Sequence, residues 1–156
     1  MKEIEVAGFA DQNMGGNPEL LLKAIDGSFS FSMWIGAVEA AEISLVLTQT
    51  PTPRPFAHEL LLNTVAAWDK SVSLVEIVEV RDSTFYAELV FDDGTKISCR
   101  PSDGIVIALR AGVPLGISAS VEEFVRANSE QIVDTPADEI DEFRKFLDSI
   151  SPDDFV

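Results

Sequence analysis

A chain of 156 residues, 46% of them hydrophobic and 24% charged, has the size and apolar content of one folded domain, which excludes general disorder. Its 27 acids against 11 bases give a formal charge of −16; such a field repels polyanions, and no cluster of Lys and Arg is present to offset it. One cysteine excludes an internal disulfide and one histidine excludes the usual zinc ligand sets.

The opening "MKEIEVAGFA" lacks a signal-peptide pattern, and no run approaches the ~20 apolar residues of a bilayer span, so the expectation is a cytoplasmic chain with no membrane role. Ile4, Val6 and Phe9 alternate with polar residues as in a first strand, and "DQNMGGNP" has turn chemistry. "ELLLKAIDGSFSFSMWIG" reads as two strands joined across Asp26-Gly27. From Ala37 to about Gln49 the period becomes helical, with Val38, Ala41, Leu45 and Leu47 apolar and Glu39 and Glu42 on another, solvated side.

"TPTPRP" breaks the chain, and Pro55 suits the first position of a second helix whose buried stripe would be Leu60, Leu61, Thr64, Val65 and Trp68. "VSLVEIVEV", "STFYAELVF" and "TKISCR" predict three antiparallel strands, the first bulged or buried on both faces. Phe85, Ala87, Leu89 and Phe91 share one face of the middle strand. Ser102 to Ala111 is apolar almost all round, which predicts a buried helix ended by Gly112. "VPLGI" reads as a short last strand, and Val121 to Ala127 as a short helix.

Thr135-Pro136-Ala137-Asp138 has the pattern of a helix start, after which Ile140, Phe143, Leu147 and Ile150 form one stripe on an acidic helix that needs a surface, in its own domain or in a second copy. Residues 119–156 hold 11 acids and 3 bases, half the net charge of the chain. The expected fold is therefore α/β of the α+β type: a mostly antiparallel mixed sheet packed with helices, with a domain over residues 1–128 and an acidic linker and amphipathic helix over 129–156. Trp34, Trp68 and Cys99 read as core.

The strings "MWIGAVEAAEISLVL", "PRPFAHELLLN", "DSTFYAELVF" and "RPSDGIVIALRAGVPL" resemble, in order and spacing, the bifunctional nuclease domain family, also catalogued as a domain of unknown function. The closing "DEFRKFLDSISPDDF" is similar to the segment that follows this domain in bacterial members, so the resemblance extends over roughly residues 1–155. It implies a mixed α/β domain that tends to form homodimers, and a nuclease activity on DNA and RNA that is attributed to plant members of the family. Three positions depart from the family pattern: Ser98 where aspartate is frequent, Gly104 where alanine is usual, and Glu59 where aspartate is common.

If the helix starts at Pro55 and Ser102 face one cleft, the parts of a metal-dependent phosphodiesterase are present. His58, Glu59 and Asp103 are the candidate catalytic residues. Arg54, Arg100 and Ser102 are candidates for substrate binding, and Glu59, Asp103 and Glu39 for Mg²⁺ or Mn²⁺. Each has a plainer reading. Ser102 and Asp103 could cap a helix, Glu59 could complement a helix dipole, His58 could anchor two elements, and Arg100 could pair with one of the many acids. Arg54, fixed between Pro53 and Pro55, suits recognition of a carboxylate or phosphate. The alternative to an enzyme is a non-catalytic dimeric module that binds a small anion or a protein; nucleic acid as a partner runs against the charge.

Overall fold

The computed structural model describes residues 1–10 and 16–129. Strands β1 (Lys2–Phe9), β2 (Glu19–Ala24) and β3 (Ser30–Trp34) open the chain, followed by helices α1 (Ala37–Leu47) and α2 (Ala57–Ala67). Strands β4 (Val72–Arg81), β5 (Thr84–Phe91) and β6 (Lys96–Cys99) come next, then α3 (Pro101–Ala111), β7 (Leu115–Ile117) and α4 (Ala119–Ser129). The fold class is the expected one, α and β elements around a mostly antiparallel mixed sheet. The acidic C-terminal helix and the linker from residue 130 lie outside the described residues, as does most of the "DQNMGGNP" turn.

The seven strands form one sheet in the order β3-β2-β1-β7-β4-β5-β6. Every pairing is antiparallel except β4 with β7, where Val75 to Ile77 run alongside Leu115 to Ile117. The short last strand, β7, is at the centre of the sheet, bonded to β1 on one side and β4 on the other. The bulged reading of β4 holds, with register shifts between Val72 and Leu74 and between Ile77 and Glu79. Gly27 takes positive φ in the β2–β3 hairpin, as its turn requires.

The sheet is curled rather than flat. Five strand-to-strand steps separate β3 from β5, which at about 4.8 Å each would put them about 24 Å apart in a flat sheet. Yet the rings of Phe31 on β3 and Phe85 on β5 stack with centroids 6.0 Å apart. Helix α3 packs against β4 and β5, and its Gly104, Ile105, Val106, Ile107 and Ala108 are all buried, as the uninterrupted apolar run predicts. Gly104 is part of that fit, because a Cβ there would stand 2.8 Å from Val75 Cγ1 and 3.2 Å from Cys99 Sγ. Gly112 ends the helix in the left-handed conformation.

Helices α1 and α2 pack on α3, and α4 packs on β3 and β4. Here several expectations are corrected. In α1 the buried residues are Ala40, Glu42 and Ile43, whereas Val38 is 74% exposed and Leu47 also faces out. In α2 no residue is fully buried; Leu62 and Val65 pack against the core, while Leu60, Leu61 and Trp68 turn outward. Trp34 and Trp68 are 67% and 71% exposed and are not core. Both α1 and α2 are apolar on more than one side, so periodicity does not select the inner face; the groove that α3 offers does.

The helix starts also differ. α2 begins at Ala57 with Phe56 as N-cap, two residues beyond Pro55. α3 begins at Pro101 with Arg100 as N-cap and no side-chain cap, so neither Ser102 nor Asp103 caps it. Proline supplies that first position, where a missing N–H costs nothing.

Candidate functional site

Helix α3 carries charge only at Asp103 and Arg110, which are seven residues apart and therefore share a face. That face meets the first turn of α2, carrying His58 and Glu59, and the face of α1 carrying Glu39 and Glu42. The result is one continuous chain of polar contacts: Glu59, Arg110, Glu42, His58, Asp103, Arg100, Glu39.

The links are direct. Arg110 Nη1 stands 3.5 Å from Glu59 Oε2, a loose contact, and Nη2 donates to Glu42 Oε1 at 3.2 Å. The other Glu42 oxygen holds His58 Nδ1. His58 Nε2 lies 2.9 Å from Asp103 Oδ1. Arg100 then grips Asp103 through two nitrogens, Nε to Oδ2 at 2.7 Å and Nη2 to Oδ1 at 2.9 Å, and the same Nη2 donates to Glu39 Oε1 at 2.8 Å. A two-nitrogen grip on a carboxylate fixes its plane as well as its distance.

Burial divides this chain into two halves. Glu42, expected on a solvated face, is only 5% exposed, and Arg110 is nearly as enclosed, with its Nε buried and unbonded among the described residues. At the other end the Arg100 side chain is 66% exposed. His58 spans the boundary. Ionised carboxylates only accept hydrogen bonds, so both His58 contacts are satisfied together when the ring carries a proton on each nitrogen.

Burial opposes ionisation of Asp103, but hydrogen bonds from Arg100 and His58, with their charges, outweigh it and hold the carboxyl below its usual range. Hydrogen bonds to Asp103 and then Glu39 push the Arg100 guanidinium further up. Next to it, burial and then the charge of Asp103 push the Cys99 thiol up to about 11.

Of the residues expected from sequence, His58, Glu59, Asp103, Arg100 and Glu39 are brought into this network. Ser102 is buried and lines a separate cleft of about 990 Å³ at the open seam of the curled sheet, which Phe31, Trp34, Phe85, Phe124 and Arg100 also line. Arg54 makes no ion pair and no side-chain hydrogen bond among the described residues. Glu42 and Arg110 were missed. Arg110 had a signal, as a charge inside an otherwise apolar helix in register with Asp103; Glu42 had none, because its spacing from Glu39 is equally that of a wet face.

The expected metal ligands do not form one donor set as arranged. Glu39 and Asp103 converge on a single cation, but that cation is the Arg100 guanidinium, and Glu59 turns to Arg110. Among the described residues no group of three or more His, Cys, Asp or Glu is placed to hold a metal ion. No helix among them is long and apolar enough to cross a membrane.

Two uncharacterised proteins from two strains of Mycobacterium tuberculosis are each 39% identical to this chain over 165 residues, covering 99% of it and 98% of their own length. The bifunctional nuclease domain matches residues 20–130, a span that runs from β2 through α4 and contains every member of the charge network. The chain belongs to the bifunctional nuclease domain family.

Proposed function

We propose that the chain hydrolyses phosphodiester bonds of nucleic acid where α1, α2 and α3 meet. The observation that carries this reading is His58 held between a buried and a half-exposed carboxylate, beside an exposed guanidinium. In it, Glu42 orients the imidazole. Both ring nitrogens are engaged by carboxylates in this structure, so His58 exchanges a proton at Nε2 with the attacking water or the departing oxygen once substrate draws Asp103 aside, and Asp103 takes up the imidazole again afterwards. Arg100 meets the phosphate, since its Nη1 makes no hydrogen bond among the described residues and its charge is fixed. Glu59 steadies Arg110 from the solvent side. Ser102 contributes from the adjoining cleft, and Arg54 is given no place in the reaction.

Mg²⁺ or Mn²⁺ at Glu39, Glu59 and Asp103 belongs to the proposal only with a rearrangement that frees these carboxylates from Arg100 and Arg110. The hydrolytic roles above are therefore assigned without it. A homodimer is proposed on the family resemblance.

The second reading is a non-catalytic module that binds a small anion or a protein. It is favoured by the pairing of every carboxylate in the network with a cation, and by a net charge of −16 that opposes a long polyanion. The test is incubation of the full chain with plasmid DNA and with RNA, in Mg²⁺, Mn²⁺ or EDTA, beside His58→Ala and Glu59→Ala/Asp103→Ala variants. Cleavage lost in both variants supports the hydrolase. Cleavage that survives them comes from a contaminant, and no cleavage under any condition leaves the binding module as the function.

A further inference from the structure

The cleft at the seam of the curled sheet is free of acid in an acidic protein. Of 27 acids in the chain, none among the described residues lines it, and Arg100 is the one charged group on its wall. Aromatic and neutral polar side chains make up much of the rest. Phe31, Phe85 and Phe124 supply an apolar surface, the first two rings stacked with centroids 6.0 Å apart and the last two edge-on at 6.1 Å. Trp34, at the end of β3, is the most exposed of the lining aromatics. A volume of about 990 Å³ lies at the upper end of small-molecule sites, which run from roughly 300 to 1,000 Å³.

Arg100 belongs both to this cleft and to the charge network. Its Nε and Nη2 hold Asp103, the partner of His58, while its Nη1 makes no hydrogen bond among the described residues. A phosphate bound to Arg100 is therefore adjacent to the imidazole on one side and to the aromatic lining on the other. In nucleic acid the group attached to that phosphate is a nucleoside, whose flat base stacks on aromatic side chains whatever its identity. A base in a duplex is already stacked and paired, and enters a protein cleft only at the cost of leaving both arrangements. A duplex also brings twice the phosphate charge per unit length of one of its strands against a net charge of −16.

We propose that this cleft is a nucleobase subsite, which takes an unpaired base of a single-stranded nucleic acid against Trp34 while the adjoining phosphate sits on Arg100. The choice of nucleic acid rests on the hydrolytic reading above, but the joint binding of base and phosphate does not require cleavage.

The test is calorimetric titration of the full chain with adenosine monophosphate, which carries a base and a phosphate but no phosphodiester bond. Ribose 5-phosphate, which lacks the base, is expected to bind at least about tenfold more weakly. Trp34→Ala is expected to weaken adenosine monophosphate by about tenfold and to leave ribose 5-phosphate unchanged, whereas Trp34→Phe, which keeps a ring, retains most of the affinity; circular dichroism checks the fold of both. No binding of adenosine monophosphate, equal affinity for the two ligands, or an affinity indifferent to Trp34→Ala would overturn the subsite, even in a chain that cleaves nucleic acid. Binding that depends on Trp34 in a chain that cleaves nothing would uphold the subsite and overturn the hydrolase alone.

Discussion

His58 and Asp103 are 45 residues apart in the chain, and the imidazole Nε2 of the first lies 2.9 Å from the carboxylate of the second. This contact joins the starts of α2 and α3, and around it the enclosed pair Glu42–Arg110 and the pair of half-buried Glu39 with exposed Arg100 are arranged on opposite sides. The consequences for stability differ between the two sides because water screens only one of them.

Glu42→Ala leaves Arg110 and His58 enclosed without their shared acceptor. Breaking a buried ion pair on one side costs about 3–5 kcal/mol, and we expect a loss of that order in urea unfolding. Glu42→Gln keeps the shape and one acceptor, and is expected to lose less. By contrast, Glu39→Ala removes only a contact to an exposed guanidinium and is expected to lose under about 1 kcal/mol.

Asp103 makes stability depend on acid. Its carboxyl is held below the ordinary aspartate range in the folded chain, so its contribution is fully present above the unfolded value, about 3.9, and is lost as pH falls toward the lower folded value. Asp103→Asn is expected to flatten the acid limb of the stability curve below about pH 4. Urea midpoints measured across that range check this.

Gly104→Ala sets helix propensity against packing. The substitution favours the helix by about 1 kcal/mol, but the new methyl meets Val75 Cγ1 at 2.8 Å, and overpacking costs about 1–3 kcal/mol. We expect net destabilisation in the parent chain and net stabilisation in a Val75→Ala background. A double-mutant cycle by thermal unfolding reads the change of sign.

The β4–β5 hairpin turns at Asp82 and Ser83, both with positive φ. A residue with a Cβ is strained there by about 1–2 kcal/mol, so Ser83→Gly is expected to raise stability by up to about 1 kcal/mol after the entropy that glycine adds to the unfolded chain. The melting temperature would rise by a few degrees.

Cys99 is half-buried beside Asp103, and burial raises its thiol to about 11. Alkylation proceeds through the thiolate. We expect iodoacetamide at pH 8 to modify the native chain far more slowly than the urea-unfolded chain, with mass spectrometry as the readout.

The amino-acid order alone determined the inventory of elements. The alternation of β1, the Asp26-Gly27 turn, and the unbroken apolar run from Ile105 to Leu109 ended by Gly112 are local signals, and each formed what local backbone and side-chain chemistry dictates. It offered the helix starts at Pro55 and Ser102 as two sides of one cleft only as a condition, and the contact of His58 with Asp103 came from the tertiary structure. Only the tertiary structure decided which sides of α1 and α2 face inward, that Trp34 and Trp68 lie in solvent, and that Glu42 and Arg110 form the enclosed half of the network. The physical reason is that a helical period reports an apolar side without naming its neighbour. In "AVEAAEISLVL" and "AHELLLNTVAA" several sides are apolar, so the choice among them passes to the surface of α3, where two charges on one face draw Glu42 and His58 inward while Leu60 and Val38 remain outside.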